Sequence, residues 1–233
     1  MIGRPRVHHR VADSTNQRAR ELAERGAPHG TVVTAEEQSA GRGRHGRSWV
    51  APAGAAVLVS LIVRNLDERF PLLPLAAAVA VSEAAESLAP VACRIKWPND
   101  VWIERRKVCG ILVEGRPAAG WAVLGIGLNV TTATEDFPEE LRLSATSLRA
   151  ASGARVLVEP ATKAVLDALA RWLERGAPEV LDAFRTRDAL RGERVRWSEG
   201  EGIASGIDDT GALLVETDAG TTMLGAGEVH LLR

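Results

Sequence analysis

Between residues 93 and 129 four apolar, strand-like runs follow one another with only short links: Cys93–Trp97, Val101–Glu104, Lys107–Glu114 and Trp121–Asn129. Parallel neighbours in a sheet need a crossover of about a dozen residues or more, whereas antiparallel neighbours need only a turn. This stretch therefore predicts an antiparallel meander, and the rest of the chain must pack around it.

Upstream, residues from about Asn16 to Arg25 read as a short helix. Asp13 or Ser14 can cap it, because a short side-chain oxygen satisfies the free amides of a first turn. Thr31–Ala35 reads as a strand, Glu36–Val50 as a polar Gly- and Arg-rich loop, and Ala55–Val63 as an apolar strand. Pro71–Leu88 reads as a buried helix with its prolines confined to the first turn. Downstream, Ala133–Leu148 looks irregular, and helices follow near Pro160–Arg175 and Pro178–Leu190. From Gly192 short strands alternate with turn pairs at Glu199-Gly200, Thr210-Gly211 and Ala219-Gly220, the spacing of a small five-stranded barrel. A boundary near residues 188–192 would divide the chain into 1–190 and 191–233.

Apolar residues make up 45% of the 233-residue chain, enough for a core and against disorder. Lys and Arg total 29 against 30 Asp and Glu, a balance that disfavours a bulk-basic polyanion binder and leaves room for a local basic patch. Cys93 and Cys109 lie in no CxxC pair, so they read as small buried apolar residues rather than as a disulfide or zinc framework. The start, MIGRPRVHHR, is basic with no apolar stretch after it, unlike a secretory signal. The longest uncharged run, Val50–Val63, is too short to cross a bilayer and carries Pro52 and Gly54. The expectation is a protein of the reduced cytoplasm with no membrane partner.

Residues 41–49, GRGRHGRSW, are the most informative. Glycine lets backbone approach a ligand closely. Arginine offers permanently charged, forked donors suited to carboxylate and phosphate. Trp49 adds a flat apolar face. Alone, the stretch suits a phosphate-closing loop, a solvated RG loop or an RNA contact. It is neither a Walker loop nor a dinucleotide fingerprint, because no GK[ST] follows and the glycine spacing differs. A second group, Lys96-Trp97-Pro98-Asn99-Asp100, presents an amide and a carboxylate at a strand end, as a Mg²⁺ ligand or as an ordinary Asx turn. In a third, Lys107 heads an apolar strand and Gly110 marks close backbone approach; Gly125-Ile126-Gly127-Leu128-Asn129 is thinned by two glycines and ends in an amide.

Taken in order, Asp13-Ser14-Thr15-Asn16, Gln38 before GRGRHGRSW, KWPND, KVCGILVE, GIGLN and Ala145-Thr146-Ser147-Leu148 resemble the biotin protein ligases. The resemblance covers residues 13–148 and is specific as a joint pattern. It implies an α+β fold, a mixed and largely antiparallel sheet flanked by helices as in class II aminoacyl-tRNA synthetases, followed by a small SH3-like β-barrel. It also implies an activity in two steps. The biotin carboxylate attacks the α-phosphate of ATP to give biotinyl-5′-AMP and pyrophosphate. A lysine of a biotin carboxyl carrier domain then takes the biotinyl group and AMP leaves.

By motif match, the resemblance puts Ser14, Thr15, Asn16, Gln38, Arg42, Gly43, Arg44, Lys107 and Gly110 on biotin, with Thr15 and Gln38 at the ureido end and Ile111 as pocket backbone. Arg44, Trp49, Asn99, Asp100 and Asn129 fall on the nucleotide, with Asp100 toward Mg²⁺, and Lys107, Arg42 and Arg44 neutralise the reacting anions. His45 and Cys109 depart from commoner family residues without changing this expectation. About a dozen residues precede the first motif, too few for the helix-turn-helix of DNA-binding members. The expectation is thus a monofunctional enzyme. The rival within the superfamily is a lipoate ligase or octanoyltransferase. Outside it stand an RNA-binding module, whose arginines would give only a weak and salt-sensitive contact, and an inactive scaffold with a decayed site.

Overall fold

The computed structural model describes residues 2–64, 66–225 and 227–232. Strand β1 (Arg6–Ala12) leads through helix α1 (Thr15–Glu24) to β2 (Val32–Gln38), which lies parallel to it. β3 (Ala56–Arg64), helix α2 (Leu73–Leu88), β4 (Cys93–Lys96), β5 (Asp100–Ile103), β6 (Arg106–Arg116) and β7 (Trp121–Asn129) follow. The sheet order is β1-β2-β3-β7-β6-β5-β4, and every pair but the first is antiparallel. The meander expected over residues 93–129 is present, and the sheet is mixed and largely antiparallel as the resemblance implied.

Strand alternation assigns the two faces. Val57, Val59 and Leu61 of β3, Leu124, Ile126 and Leu128 of β7, and Cys109 and Ile111 of β6 join α2 in one core, which helices α4 (Val158–Trp172) and α5 (Ala177–Arg187) complete. The short helix α3 (Leu148–Ser152) precedes them. Phe70–Leu88 is apolar and long enough to cross a membrane by composition, and here it is the central core helix, with ten of the buried side chains of the chain between Leu75 and Ala85. On the opposite face α1 covers a smaller cluster of Ala19, Ala23, Val33, Ile62, Trp121 and Val123.

The C-terminal strands are β8 (Arg194–Trp197), β9 (Gly200–Ile207), β10 (Leu213–Thr217), β11 (Gly220–Leu224) and β12 (His230–Leu231). They form an open sheet, β11-β10-β9-β8-β12. Among the described residues β12 bonds only to β8 and β11 only to β10, so the expected barrel is not closed. The core residues of this sheet, Val195, Ala204, Leu213 and Val215, belong to the same cluster as the core of the first sheet.

Three local readings are corrected. The sequence does not disclose β1, because His8, His9 and Arg10 give an edge strand no apolar face to reveal it. β2 runs on through Glu36–Gln38, which pairs with β1 (Val11 with Glu37, Ala12 with Gln38) instead of opening the loop. The last helix ends at Arg187 rather than near Leu190, where the Asp188 carboxylate accepts the Leu190 N–H at 2.8 Å.

Candidate active site

The cross-strand register builds the floor of a cleft on the α1 face of the sheet. Leu58, Gly127, Gly110 and Asp100 stand in one row across four strands; Ser60, Gly125 and Leu112 stand in the next. The glycines leave room for what lies above them. A Cβ at Gly127 would sit 2.4 Å from Trp49 Cε2, and one at Gly110 would sit 2.9 Å from Trp49 Cζ3. A Cβ at Gly125 would sit 2.0 Å from Asn16 Oδ1. The indole of Trp49 and the amide of Asn16 therefore lie flat on the sheet because nothing projects beneath them.

Asn16, Ser14 and Thr15 open α1 and are all buried. The Thr15 N–H donates to Gln38 Oε1 at 2.8 Å, and the Thr15 hydroxyl oxygen lies 3.0 Å from the same atom. Ser60 Oγ lies 2.8 Å from Thr15 Oγ1 and 2.6 Å from Asn16 Oδ1. This end of the cleft is a small polar pocket walled by strands.

The 41–49 loop crosses the cleft and returns on itself through the Arg42–Ser48 bridge, turning where His45 and Gly46 take positive φ of 53° and 74°. Each arginine has a partner. Arg42 lies 3.2 Å from Glu114 Oε1. Arg44 donates to Asn99 Oδ1 at 3.1 Å and to the Gly227 carbonyl at 3.0 Å. Arg47 pairs with Glu228. Gly43 lines the cleft between them. Burial pushes the Arg44 guanidinium down from its ordinary value, with Asp100 opposing.

Beyond Trp49 lies the charged end. Lys107 Nζ is 2.7 Å from Asp100 Oδ1 and 5.8 Å from the centre of the Trp49 ring. Asn99 Nδ2 donates to the Ile111 carbonyl at 2.6 Å, which ties the 97–100 turn to β6. Arg42, Arg44, Arg47, Lys96 and Lys107 face Asp100 and Glu228 across this space, so the wall is strongly cationic. Burial lowers the Lys96 pKa, and Lys107, Arg47 and Arg44 lower it further against the pull of Asp100.

Thus Ser14, Thr15, Asn16, Gln38, Arg42, Gly43, Arg44, Trp49, Asn99, Asp100, Lys107, Gly110 and Ile111 share one cleft. Asn129 does not reach its wall: its Nδ2 donates to the Thr146 carbonyl at 3.0 Å, one pleat beyond Gly127. The same segment bonds Thr146 N–H to the Lys107 carbonyl at 2.9 Å, so Asn129 braces the strand that carries Lys107. Lys96, Arg47, Ser60, Glu114 and Glu228 are site residues that the sequence reading passes over. Lys96, Arg47 and Glu114 stand inside the motifs, Glu114 acquiring its place only through register; Ser60 depends on register and Glu228 on the distant tail.

Cys109, under the cleft floor, is fully buried, and burial drives its thiol well above the ordinary range, which removes it as a nucleophile. Among the described residues no group of three or more His, Cys, Asp or Glu is poised to hold a metal. The donors fit a hard cation shared with phosphate, since Mg²⁺ commonly takes one or two carboxylates plus substrate oxygens. The arrangement can therefore hold a neutral polar head at one end and bring two anions together at the other.

Comparison with known proteins agrees. Residues 8–130 match the model of the Biotin/lipoate A/B protein ligase family, and residues 192–232 match that of the Biotin protein ligase C terminal domain. The chain is 35% identical to the Bifunctional ligase/repressor BirA of Bacillus subtilis, over 99% of this chain and 75% of that protein. It is 38% identical to the Biotin--[acetyl-CoA-carboxylase] ligase of Mycobacterium tuberculosis, over 88% of this chain and 80% of that one. The solved biotin protein ligase from Aquifex aeolicus in complex with biotin and ATP superposes with a TM-score of 0.87 at 30% identity, covering 99% of both chains.

Proposed function

Because the chain belongs to the biotin/lipoate A/B protein ligase family, we propose that it is an ATP-dependent biotin protein ligase. The observation that carries this reading is the two-ended cleft: a buried polar pocket of Thr15, Gln38 and Ser60 opens directly onto Arg42, Arg44 and Lys107. Biotin pairs a polar ureido head with an apolar body and an anionic tail, and such a ligand needs apolar walls with few placed polar groups.

Activation joins two anions, so the enzyme must supply positive charge where they meet. Thr15 and Gln38 hold the ureido head, and Gly110 and Gly127 let the ligand and Trp49 lie against the sheet. Arg42, Arg44 and Lys107 surround the carboxylate and the α-phosphate. A carboxylate oxygen attacks phosphorus, the P–O bond to the β-phosphate breaks, and pyrophosphate leaves with biotinyl-5′-AMP retained. The loop keeps water from the mixed anhydride. The amine of a carrier lysine then attacks the acyl carbon, the amide forms and AMP departs. No side chain serves as a covalent nucleophile, so the residues act by position and charge.

Asp100, with Asn99 beside it, would hold a Mg²⁺ accompanying ATP, and the ion would supply charge neutralisation on the polyphosphate. The acceptor is a biotin carboxyl carrier domain of a carboxylase. The chain divides into a catalytic unit, 1–190, and a C-terminal unit, 191–233, which lends Gly227 and Glu228 to the cleft mouth; two separately bonded sheets support this division. A reducing cytoplasm suits the two free thiols.

ATP–pyrophosphate exchange, with biotin and lipoate offered separately in Mg²⁺, tests the reading. Biotin-dependent exchange is expected. Exchange with lipoate alone would move the protein to the lipoate branch, and exchange with neither would end the proposal.

A further inference from the structure

Glu114 closes the Lys107–Glu114 run, and the chemistry above gives it nothing to do. It faces the cleft side of β6, opposite Val123, with its side chain 20% exposed. Its carboxylate joins two parts of the site. Oε2 accepts from Asn16 Nδ2 at 2.9 Å. Oε1 lies 3.2 Å from the Arg42 guanidinium and 3.7 Å from that of Arg20.

A carboxylate can only accept hydrogen bonds. Asn16 must therefore turn its Nδ2 to Glu114, which leaves Oδ1 facing Ser60 Oγ at 2.6 Å. The single Ser60 proton goes to Asn16, and a Ser60 lone pair faces Thr15 Oγ1 at 2.8 Å. Thr15 can then donate to Ser60, leaving a free lone pair on its own Oγ1 and a second one on Gln38 Oε1 beside the Thr15 N–H it already accepts. Were the Asn16 amide reversed, Ser60 would donate to Thr15 and Thr15 to Gln38, 3.0 Å away. Both acceptors would then be partly consumed. Asn16, Ser60 and Thr15 are buried, so the sense of this chain is set from its end.

We propose that Glu114 is a positioning residue for biotin recognition: its negative charge fixes the direction of the Asn16–Ser60–Thr15 chain, so that Thr15 and Gln38 offer acceptors to the two ureido N–H groups, while its other oxygen holds Arg42 at the cleft mouth. The inference rests on the biotin reading above. It assigns selectivity against acids without N–H donors to a residue that does not touch the substrate. Sites that bond a donor reject analogues lacking it far more strongly than apolar pockets reject a change of size.

The test is biotin-dependent exchange by wild type, Glu114→Gln and Glu114→Asp. Glu114→Gln should raise KM for biotin about 10- to 100-fold, with a smaller rise in KM for ATP through the loosened Arg42. Asp keeps the charge and loses length, whereas Gln keeps the shape and loses the charge. Asp should therefore retain more biotin affinity than Gln; the opposite ranking, or no change in Gln, overturns the proposal in favour of packing alone. Asn16→Asp gives a second route, independent of how the single Glu114→Gln variant folds, by setting two carboxylates together. Combined with Glu114→Gln it restores a donor–acceptor pair and should recover at least about tenfold of the lost affinity; no recovery also overturns the proposal. Wild-type protein with no biotin-dependent exchange would instead refute the functional reading, whatever Glu114 does.

Discussion

Gly127→Ala tests whether the indole really seats on a glycine floor. The added Cβ would stand 2.4 Å from Trp49 Cε2, 2.7 Å from Nε1 and 2.8 Å from Cζ2. Ordinary carbon contacts are about 3.5–4.0 Å, so the ring must move by about 1 Å. Either the strand or the loop must yield. β7 is buried along its whole length and bonded on both sides, to β3 and to β6. Trp49 ends a loop whose next residue, Val50, is 57% exposed. The loop therefore gives way.

Overpacking of this kind costs about 1–3 kcal/mol. Here that cost falls on the closed loop and leaves global folding almost untouched. A penalty of that size on the binding-competent state weakens apparent affinity about 5- to 150-fold. The assay is exchange kinetics in biotin and ATP, run beside denaturant unfolding. KM should rise within that range while the unfolding free energy shifts by less than about 0.5 kcal/mol. Adding Trp49→Ala should remove the penalty, so the double variant should be no worse than Trp49→Ala alone. Wild-type kinetics in Gly127→Ala, or a stability loss without a kinetic one, would refute the seating of Trp49.

Other outcomes follow from the same geometry. Lys107→Ala removes the cation 2.7 Å from Asp100 and should cut adenylation about 10²- to 10³-fold; the pair is partly solvated, so stability should change by less than about 1 kcal/mol in the same unfolding assay, and near-normal adenylation would cancel its role. Burial pushes the Cys93 thiol up to about 12 and Cys109 higher still. A raised folded pKa gives stability that is complete below the unfolded value of about 8.5 and is lost as pH climbs through the folded one. Unfolding free energy should therefore decline from about pH 8.5 upward, less so in a Cys93→Ala, Cys109→Ala double variant, and a thiol reagent at pH 8 should label neither cysteine before unfolding. Truncation after residue 191 removes the Gly211 carbonyl that accepts Trp97 Nε1–H at 2.9 Å and strips part of the shared core; the product should lose exchange activity and bind a hydrophobic dye, and an active, dye-silent truncation would contradict that coupling.

How much the sequence disclosed depended on whether a feature was local. The strands from Ala56 to Asn129 were legible because apolar runs with short links leave one way to pair. β1 was not, because an exposed edge strand carries little apolar pattern. The loop and turn motifs marked the cleft from residue type alone. Ser60 and Glu114 were hidden, since a serine inside an apolar run and a glutamate at a strand end acquire meaning only when register sets them beside Gly125 and Asn16. Asn129 shows the complementary limit. Alternation puts it on the face of Gly125 and Gly127, and only a non-local contact shows that its Nδ2 is taken by the Thr146 carbonyl.

The partners of the three loop arginines decide between the readings that the loop sequence alone left open. A solvated RG segment would leave its guanidinium groups in water, and an RNA contact would present them outward. Arg44 is instead partly buried and held by the 97–100 turn and the C-terminal segment, while the more exposed Arg42 and Arg47 pair with Glu114 of β6 and with Glu228. An anion entering the cleft thus meets cations already partnered and already placed, and it must replace an acceptor rather than neutralise a bare charge. Such exchange returns little net energy for an ill-fitting anion, because each bond it displaces, to a carboxylate, an amide or a carbonyl oxygen, is as good as the bond it forms. A ligand gains only if its own oxygens match positions that the sheet and turn have fixed. Selection for a carboxylate beside a phosphate then follows from where the arginines are tethered, and the glycines supply the space in which that match is made.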